Sequence, residues 1–208
     1  DAEIIIEGEV PPGVRESQNP FGEILGYYQG EMKVPVIEVT AVTHRRQAIV
    51  QDFWPGQMDH WNLGSIPKEG SVYNVIRKNI PGIKGIHLPA SGCGRLICYI
   101  SIKKEFDNEP RKAAMQAFVE MPNLKLAVVV DDDIDVFNER DVWWAVSTRT
   151  HWDTDLEVIR KVQSFRGWLG DAVAIIDATR PLKGDFPVRN EVVAEALERV
   201  DVTKYLKK

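Results

Sequence analysis

Apolar and polar positions change their period along the chain, and those changes divide it. Residues 3–10 open on the apolar run Ile4-Ile5-Ile6, which predicts a short strand. Residues 11–31 lose all periodicity and gather Pro11, Pro12, Gly13, Pro20, Gly22, Gly26 and Gly30, which predicts a loop. Residues 34–44 alternate and are rich in β-branched side chains; with 47–53 they predict a second and a third strand. Around Pro55-Gly56 and Gly64 the composition shifts, placing a domain boundary near residue 60 and dividing the chain into 1–60 and 61–208.

Beyond that boundary helical and strand patterns alternate. Residues 71–79 predict a helix with Val72, Val75 and Ile76 on one face, and 83–88 and 95–103 predict strands. Pro110 suits the first turn of a helix running to about Glu120. Residues 126–130 form a continuous apolar run, the pattern of a strand covered on both faces, and 173–176 form another. Asp141 is placed to start a helix through Ser147, and Asn190 to cap a last amphipathic helix over 192–200. This order predicts a layered α/β domain.

Composition narrows the function classes. At 208 residues the chain is long enough for one domain with its own core and part of another. No apolar run approaches membrane-spanning length, and no basic segment followed by an apolar one opens the chain as a secretory leader would. The net charge of −5 offers no basic stripe for nucleic-acid phosphates. Cys93 and Cys98 make neither a disulfide framework nor a zinc site; both are expected reduced in a cytoplasm, with Cys98 in the core. His44, His60, His87 and His151 show no metal-ligand spacing. Trp143 and Trp144 face different sides of a helix, one toward the core and the other toward a partner domain or subunit. Trp54, Trp61, Trp152 and Trp168 lie in loop-like stretches, where aromatic side chains line pockets or plug a core.

The segment Gln18-Asn19-Pro20-Phe21-Gly22-Glu23-Ile24-Leu25-Gly26-Tyr27-Tyr28 carries the clearest chemistry. Pro20 and Gly22 restrict the backbone around an apolar anchor, Phe21, which is how a chain holds one carboxylate, Glu23, at a fixed place beside a cavity. From these residues alone, a loop with a surface glutamate is the better fit. The stretch resembles the Glu-Gly-Pro-Phe-Gly-Glu/Asp segment of the UbiD family of decarboxylases, which use prenylated flavin mononucleotide. Glu3-Ile4-Ile5-Ile6-Glu7-Gly8, the run from Pro35 to Arg45, Val129 to Val136, Asp141 to Arg149 and Asp177-Ala178-Thr179 resemble further segments of that family, in the same order.

The resemblance implies a UbiD-type C-terminal α/β oligomerisation domain over 61–208, preceded over 1–60 by the last strands of a flavin-binding split β-barrel. It also implies a carboxy-lyase acting on an aromatic or α,β-unsaturated carboxylic acid, with Glu23 as proton donor and acceptor. Gln18 stands where the family has its first Glu, and it can hydrogen-bond but cannot carry a charge or hold a proton. Glu16 is the substitute if Glu23 is not the donor. Leu63, in Asn62-Leu63-Gly64-Ser65-Ile66, and Phe165 are carried over as substrate-pocket walls. The cofactor implied is prenylated FMN with manganese or magnesium and potassium, most of whose ligands belong to the family's N-terminal part. The chain begins at Asp1 and resembles only the C-terminal part of these enzymes, so it is expected to be a piece of one or a split subunit, inactive without its flavin-binding partner and self-associating as a homodimer or larger oligomer.

Two other classes compete. One is a non-catalytic module that oligomerises and covers another subunit's pocket. The other is a metal-dependent phosphatase built on Asp131 and Asp133, since a buried strand ending in Asp-x-Asp can present a nucleophile and a metal ligand. Against the latter, the cluster Asp131-Asp132-Asp133-Ile134-Asp135 is expected to cap helices, pair with arginines and end its strand in solvent.

Overall fold

The computed structural model describes residues 2–162, 170–190, 192–199 and 204. Its first part is a set of small antiparallel ladders. Strand β1 (Ile4–Glu9) leads, through β2 (Arg15–Gln18), β3 (Phe21–Gly22), β4 (Tyr28–Gln29) and β5 (Met32–Pro35), to β6 (Glu38–His44). β1 pairs with β6, setting Ile5 opposite Thr43 and Ile6 opposite Val42. β2 pairs with β5, and β3 with β4. The predicted loop over 11–31 therefore contains ladders, two to four residues long and partly built on polar side chains, too short to leave a periodic signal. The predicted strand over 47–53 does not form: that backbone meets no partner strand among the described residues, and Ile49 and Val50 stand exposed. β1 is exposed along its whole length, and Ile4, Ile5, Ile6, Val39 and Val42 all lie on the surface of the β1–β6 ribbon.

The second part is a layered α/β unit. In chain order it consists of α1 (Met58–Asn79), β7 (Ile83–His87), β8 (Ile97–Ile102), α2 (Glu109–Glu120), β9 (Leu126–Asp131), α3 (Glu139–Arg149), β10 (Leu156–Ile159), β11 (Val173–Ala178) and α4 (Ala194–Arg199). The sheet runs β10-β11-β9-β8-β7. The inner three strands are parallel, and each edge strand is antiparallel to its neighbour. Alternation along β8 sends Cys98, Ile100 and Ile102 to the face covered by α1 and α2, where Val72, Ile76, Ala113 and Ala117 meet them. Tyr99 points to the other face, where Val128 and Val130 pack on Val142, Ala145 and Val146 of α3. Burial on both faces explains the unbroken apolar run of β9, whose larger side chains each contribute about 1.5–3 kcal/mol of transfer free energy. Burial also pushes the Cys98 thiol pKa far up, which keeps it an inert core group.

Several elements depart from the sequence reading. α1 begins at Met58 rather than near Ser71, and Trp61 belongs to it rather than to a loop. Gly64 reads as part of a boundary, yet it lies inside the helix, as does Pro67, at the cost of one backbone donor. The inner side of this first half carries Trp61, Gly64 and Ser65, so it shows no apolar stripe. β10 went unread because its four residues alternate between half-buried and exposed on an edge. Asn190 does not cap the last helix, which begins four residues later at Ala194.

Asp131 also differs from expectation. It is buried rather than solvated, because the end of α3 returns to the end of β9 and delivers Arg149 to it. Arg149 Nη1 donates to Asp131 Oδ2 at 2.8 Å, and its two terminal nitrogens grip Asp133 at 2.9 and 2.8 Å. Arg180 adds its backbone N–H and its Nε to Asp131 at 2.9 and 3.2 Å. The two aspartates of the phosphatase reading are thus engaged by arginines, and among the described residues no His/Cys/Asp/Glu group could hold a metal.

This clamp generates a stability prediction. The hydrogen bond from Arg149 is the largest influence on Asp133 and holds its carboxyl below the usual carboxylate range. A depressed folded-state value gives stability that is present above the unfolded pKa, about 3.9, and is lost as the pH falls through the lower folded value. Arg149→Met removes three hydrogen bonds to Asp131 and Asp133, leaving both carboxylates to Arg180 alone among the described arginines, and is expected to cost about 3 kcal/mol at pH 7. Urea midpoints at pH 7 and pH 3 should show the gap between variant and wild type narrowing in acid.

Candidate active site

Glu23 lies in the turn joining β3 to β4. Alternation places Phe21 and Glu23 on one face of this hairpin; Phe21 pairs with Gln29, which makes Gln29 the diagonal neighbour of Glu23. The Glu23 N–H donates to the Tyr27 carbonyl at 3.0 Å, and the Gly26 N–H donates to the Glu23 carbonyl at 2.9 Å. Gly26 can take this turn because its φ of +78° suits a residue without a Cβ. The carboxylate is held at both oxygens: Gln29 Nε2 donates to Oε1 at 3.0 Å, and the Ile24 N–H donates to Oε2 at 3.2 Å.

The start of α1 fixes the turn from outside. Trp61 Nε1 donates to the Ile24 carbonyl at 2.6 Å, and the Ile24 side chain is buried. Gly56, at φ +72°, packs so closely that a Cβ there would lie 2.7 Å from Gly26 Cα and 2.9 Å from the Glu23 carbonyl oxygen. Beside the turn opens a cavity of about 640 Å³ lined by Glu23, Leu25, Tyr27, Tyr28, Gln29, Gly30 and Met32. Its walls are mainly aromatic and aliphatic, with Glu23 the one carboxylate among those residues.

The other sequence candidates fall at varied distances from this centre. Gln18 ends β2, is half-buried and pairs with Met32, a cavity residue. The described partners of the Glu23 carboxylate are Gln29 and Ile24, and Gln18 is not among them. Glu16 is exposed on β2 opposite Val34. Leu63 lies on the first half of α1, two residues beyond Trp61, with 60% of its surface open and outside the cavity lining. Phe165 and Trp168 fall outside the described residues. Trp54 and Trp152 are exposed, as surface aromatics rather than core plugs.

A second polar cluster serves the architecture. Glu139 accepts hydrogen bonds from Ser91 Oγ and from the Tyr99 hydroxyl, both at 2.6 Å, while Trp143 Nε1 donates to the Tyr99 oxygen at 3.1 Å. Burial, reinforced by Glu139, pushes the Tyr99 pKa to about 12. Glu69 of α1 accepts the Leu88 N–H at 2.8 Å and lies at the same distance from His87 Nδ1, tying the helix to the strand end. Trp144 packs on the core beneath the Arg149 and Arg189 guanidiniums, and Trp143 is partly open to solvent.

Residues 1–58 match the family model for the 3-octaprenyl-4-hydroxybenzoate carboxy-lyase Rift-related domain, and residues 61–166 match the model for the C-terminal domain of the same carboxy-lyase. The chain belongs to the UbiD family. It is 32% identical over 199 residues to the anhydromevalonate phosphate decarboxylase of Methanothermobacter thermautotrophicus, covering 96% of this chain and 46% of that protein. It is 30% identical to the gallate decarboxylase of Lactiplantibacillus plantarum, covering 99% of this chain and 47% of the relative. The UbiD-class enzyme HmfF from Pelotomaculum thermopropionicum, solved with FMN, superposes with a TM-score of 0.90 at 34% identity over 98% of this chain and 47% of its own. An evolved dimeric form of HmfF, solved with prFMN, superposes at 0.86 and 36% identity over 98% of this chain and 45% of its own. The UbiD chain thus spans about half the length of the relatives it matches.

The packing of Gly56 on the Glu23 turn can be tested without touching the carboxylate. Gly56→Ala forces a positive φ on alanine and drives its Cβ into Gly26, at an expected cost of about 1–3 kcal/mol. Thermal unfolding should report this loss, and the amide resonances of Glu23 and Tyr27 should move while those of β8 and β9 stay in place.

Proposed function

We propose that the chain carries the proton-transfer group of a non-oxidative decarboxylase for an aromatic or α,β-unsaturated carboxylic acid, with Glu23 as donor and acceptor. The observation that carries this reading is the mounting of Glu23, a half-buried carboxylate gripped at both oxygens on the wall of an apolar cavity. The related proteins support it, being gallate and anhydromevalonate phosphate decarboxylases and an enzyme solved with FMN and prFMN.

The cavity fits part of a prenylated flavin site. Leu25, Tyr27, Tyr28 and Met32 offer surface for a flat ring or an unsaturated acid, while the lining among the described residues includes no Lys or Arg for a phosphate. The cofactor's phosphate, a manganese or magnesium ion and potassium would accordingly be held mostly by an N-terminal flavin-binding part, in the same polypeptide or a separate subunit, for which β1–β6 form the last strands of the barrel. When bound, the flavin supplies the electron sink for the pair left on carbon as CO2 departs. The work of Glu23 is then to hand one proton to that carbon, or to remove one in the reverse direction. Gln29 and the Ile24 N–H fix where the carboxylate points, and Trp61 and Gly56 fix the turn that carries it. Gln18 sits one strand pair away beside Met32, where it can hydrogen-bond but not relay a proton. Leu63 and Phe165 would complete the substrate wall.

In the intact enzyme, Glu23→Gln should leave folding and flavin binding near wild type and cut turnover by roughly a hundred- to ten-thousand-fold. Solvent-deuterium exchange at the reacting carbon isolates the proton step from CO2 loss. Exchange at the wild-type rate in Glu23→Gln would remove the residue from this role, and Glu16 would be tested next.

A two-fold homodimer accompanies this reading, with Trp143 and Phe137 as exposed aromatic contacts beside α3. Light scattering should give twice the chain mass for the wild type and a lower mass for Trp143→Arg. A wild-type monomer at high concentration would refute it.

A further inference from the structure

The proton-transfer residue has an uncharged polar neighbour that does more than fix the direction of the ionised carboxylate. Gln29 reaches Glu23 from the facing strand: its Nε2 lies 3.0 Å from Glu23 Oε1, and both side chains are half-buried on the same cavity wall. Six residues separate them, so the contact is set by the β3–β4 register rather than by chain adjacency. The other carboxylate oxygen takes a backbone N–H, a donor that cannot turn away. A glutamate cycling between carboxylate and carboxylic acid meets opposite demands from such neighbours, because the ionised form only accepts hydrogen bonds while the protonated form must also place one O–H. The fixed Ile24 N–H serves an accepting oxygen in either state. Oε1 is the oxygen that faces Gln29, a neighbour able to change its own role by turning.

We propose that Gln29 is the positioning residue for Glu23 in both protonation states. Its NH2 donates to the carboxylate, and a half-turn of the amide about its last bond presents the carbonyl to the carboxylic acid O–H. An amide suits this because its two ends are a donor and an acceptor of nearly equal size. A lysine or arginine would serve only the ionised state and an aspartate only the protonated one. The inference rests on Glu23 being the proton-transfer group.

A double-mutant cycle in the intact enzyme tests it. Gln29→Leu keeps the bulk and removes both ends of the amide; it should lower kcat by about ten- to a hundred-fold, as misplacement of a reacting group does, and leave KM within about twofold. Glu23→Asp withdraws the carboxylate from the reach of Gln29, so adding Gln29→Leu to it should cost nothing further, whereas two independent effects would multiply. In flavin-free wild-type protein, the Gln29 side-chain NH2 resonances should be shifted from those of an exposed amide and should collapse toward them in Glu23→Gln. This signature decides the matter if Gln29→Leu fails to fold. Wild-type kcat in a folded Gln29→Leu, multiplicative losses in the cycle, or Gln29 resonances indifferent to Glu23→Gln would each overturn the proposal. If Glu23→Gln itself retains full turnover, the decarboxylase assignment of Glu23 fails instead, and the resonance test still reports whether Gln29 holds it.

Discussion

One hydrogen bond joins the two parts of this chain where it matters most: the Trp61 indole N–H to the Ile24 carbonyl, at 2.6 Å. The β3–β4 hairpin has two residue pairs and cannot hold its own shape in water. It is shaped by what it leans on, and it leans on the first half of α1. That half is in turn held by Gly94, packed so closely under the Trp61 carbonyl that a Cβ there would lie 2.7 Å from it, and by Glu69 reaching to the end of β7. A line of contacts therefore runs from the five-stranded sheet through α1 to Glu23. The rigid domain sets the position of a side chain that belongs to a different part of the chain.

The same arrangement explains one of the weak helix formers in α1. Gly64, Pro67 and Gly70 all weaken a helix, and Gly64 admits a close neighbour, since a Cβ there would lie 2.9 Å from Arg95 Nη2, whereas a Cβ at Gly70 would meet open space. Small residues let the Trp61 side of the helix approach the 89–96 turn, and the loss of helical propensity is offset by tertiary contact. At the other end of the sheet the solution is opposite in kind, with charge taking the place of small size. Arg149, Asp131 and Asp133 close the end of β9 by ion pairs that exist only because α3 returns to it.

Much of the α/β layer was legible in the sequence, because its strands carry continuous apolar runs and its second helix begins on Glu109-Pro110. The family was legible from ordered segments spread along the chain. What stayed hidden has physical reasons. Helix α1 was masked by glycine and proline, whose local meaning tertiary packing overrides. β10 and the short ladders carry too few residues to show a period. Pro20, Phe21 and Gly22 pointed to a restrained turn but did not separate a carboxylate held beside a cavity from a surface glutamate, and Gln29 gave no signal, although its place across the hairpin follows once the pairing of Phe21 with Gln29 is known. Asp131 read as a solvated strand end because its partner, Arg149, lies 18 residues away on another element.

The irregularity at the edge strand β7 bears on how this domain keeps apart from its neighbours in a crowded cell. Between Ile83 and Gly85 the ladder to β8 loses register, and Lys84 stands exposed at that point. A bulge bends the free edge, and a lysine on it opposes a second strand settling alongside. At the far edge, β10 carries Glu157, gripped by Arg111 at 2.6 Å, which places a charged pair where another backbone would have to dock. Both borders of the sheet are thereby poor templates for continuation. Edges of this kind oppose the open-ended stacking of strands that leads to fibres.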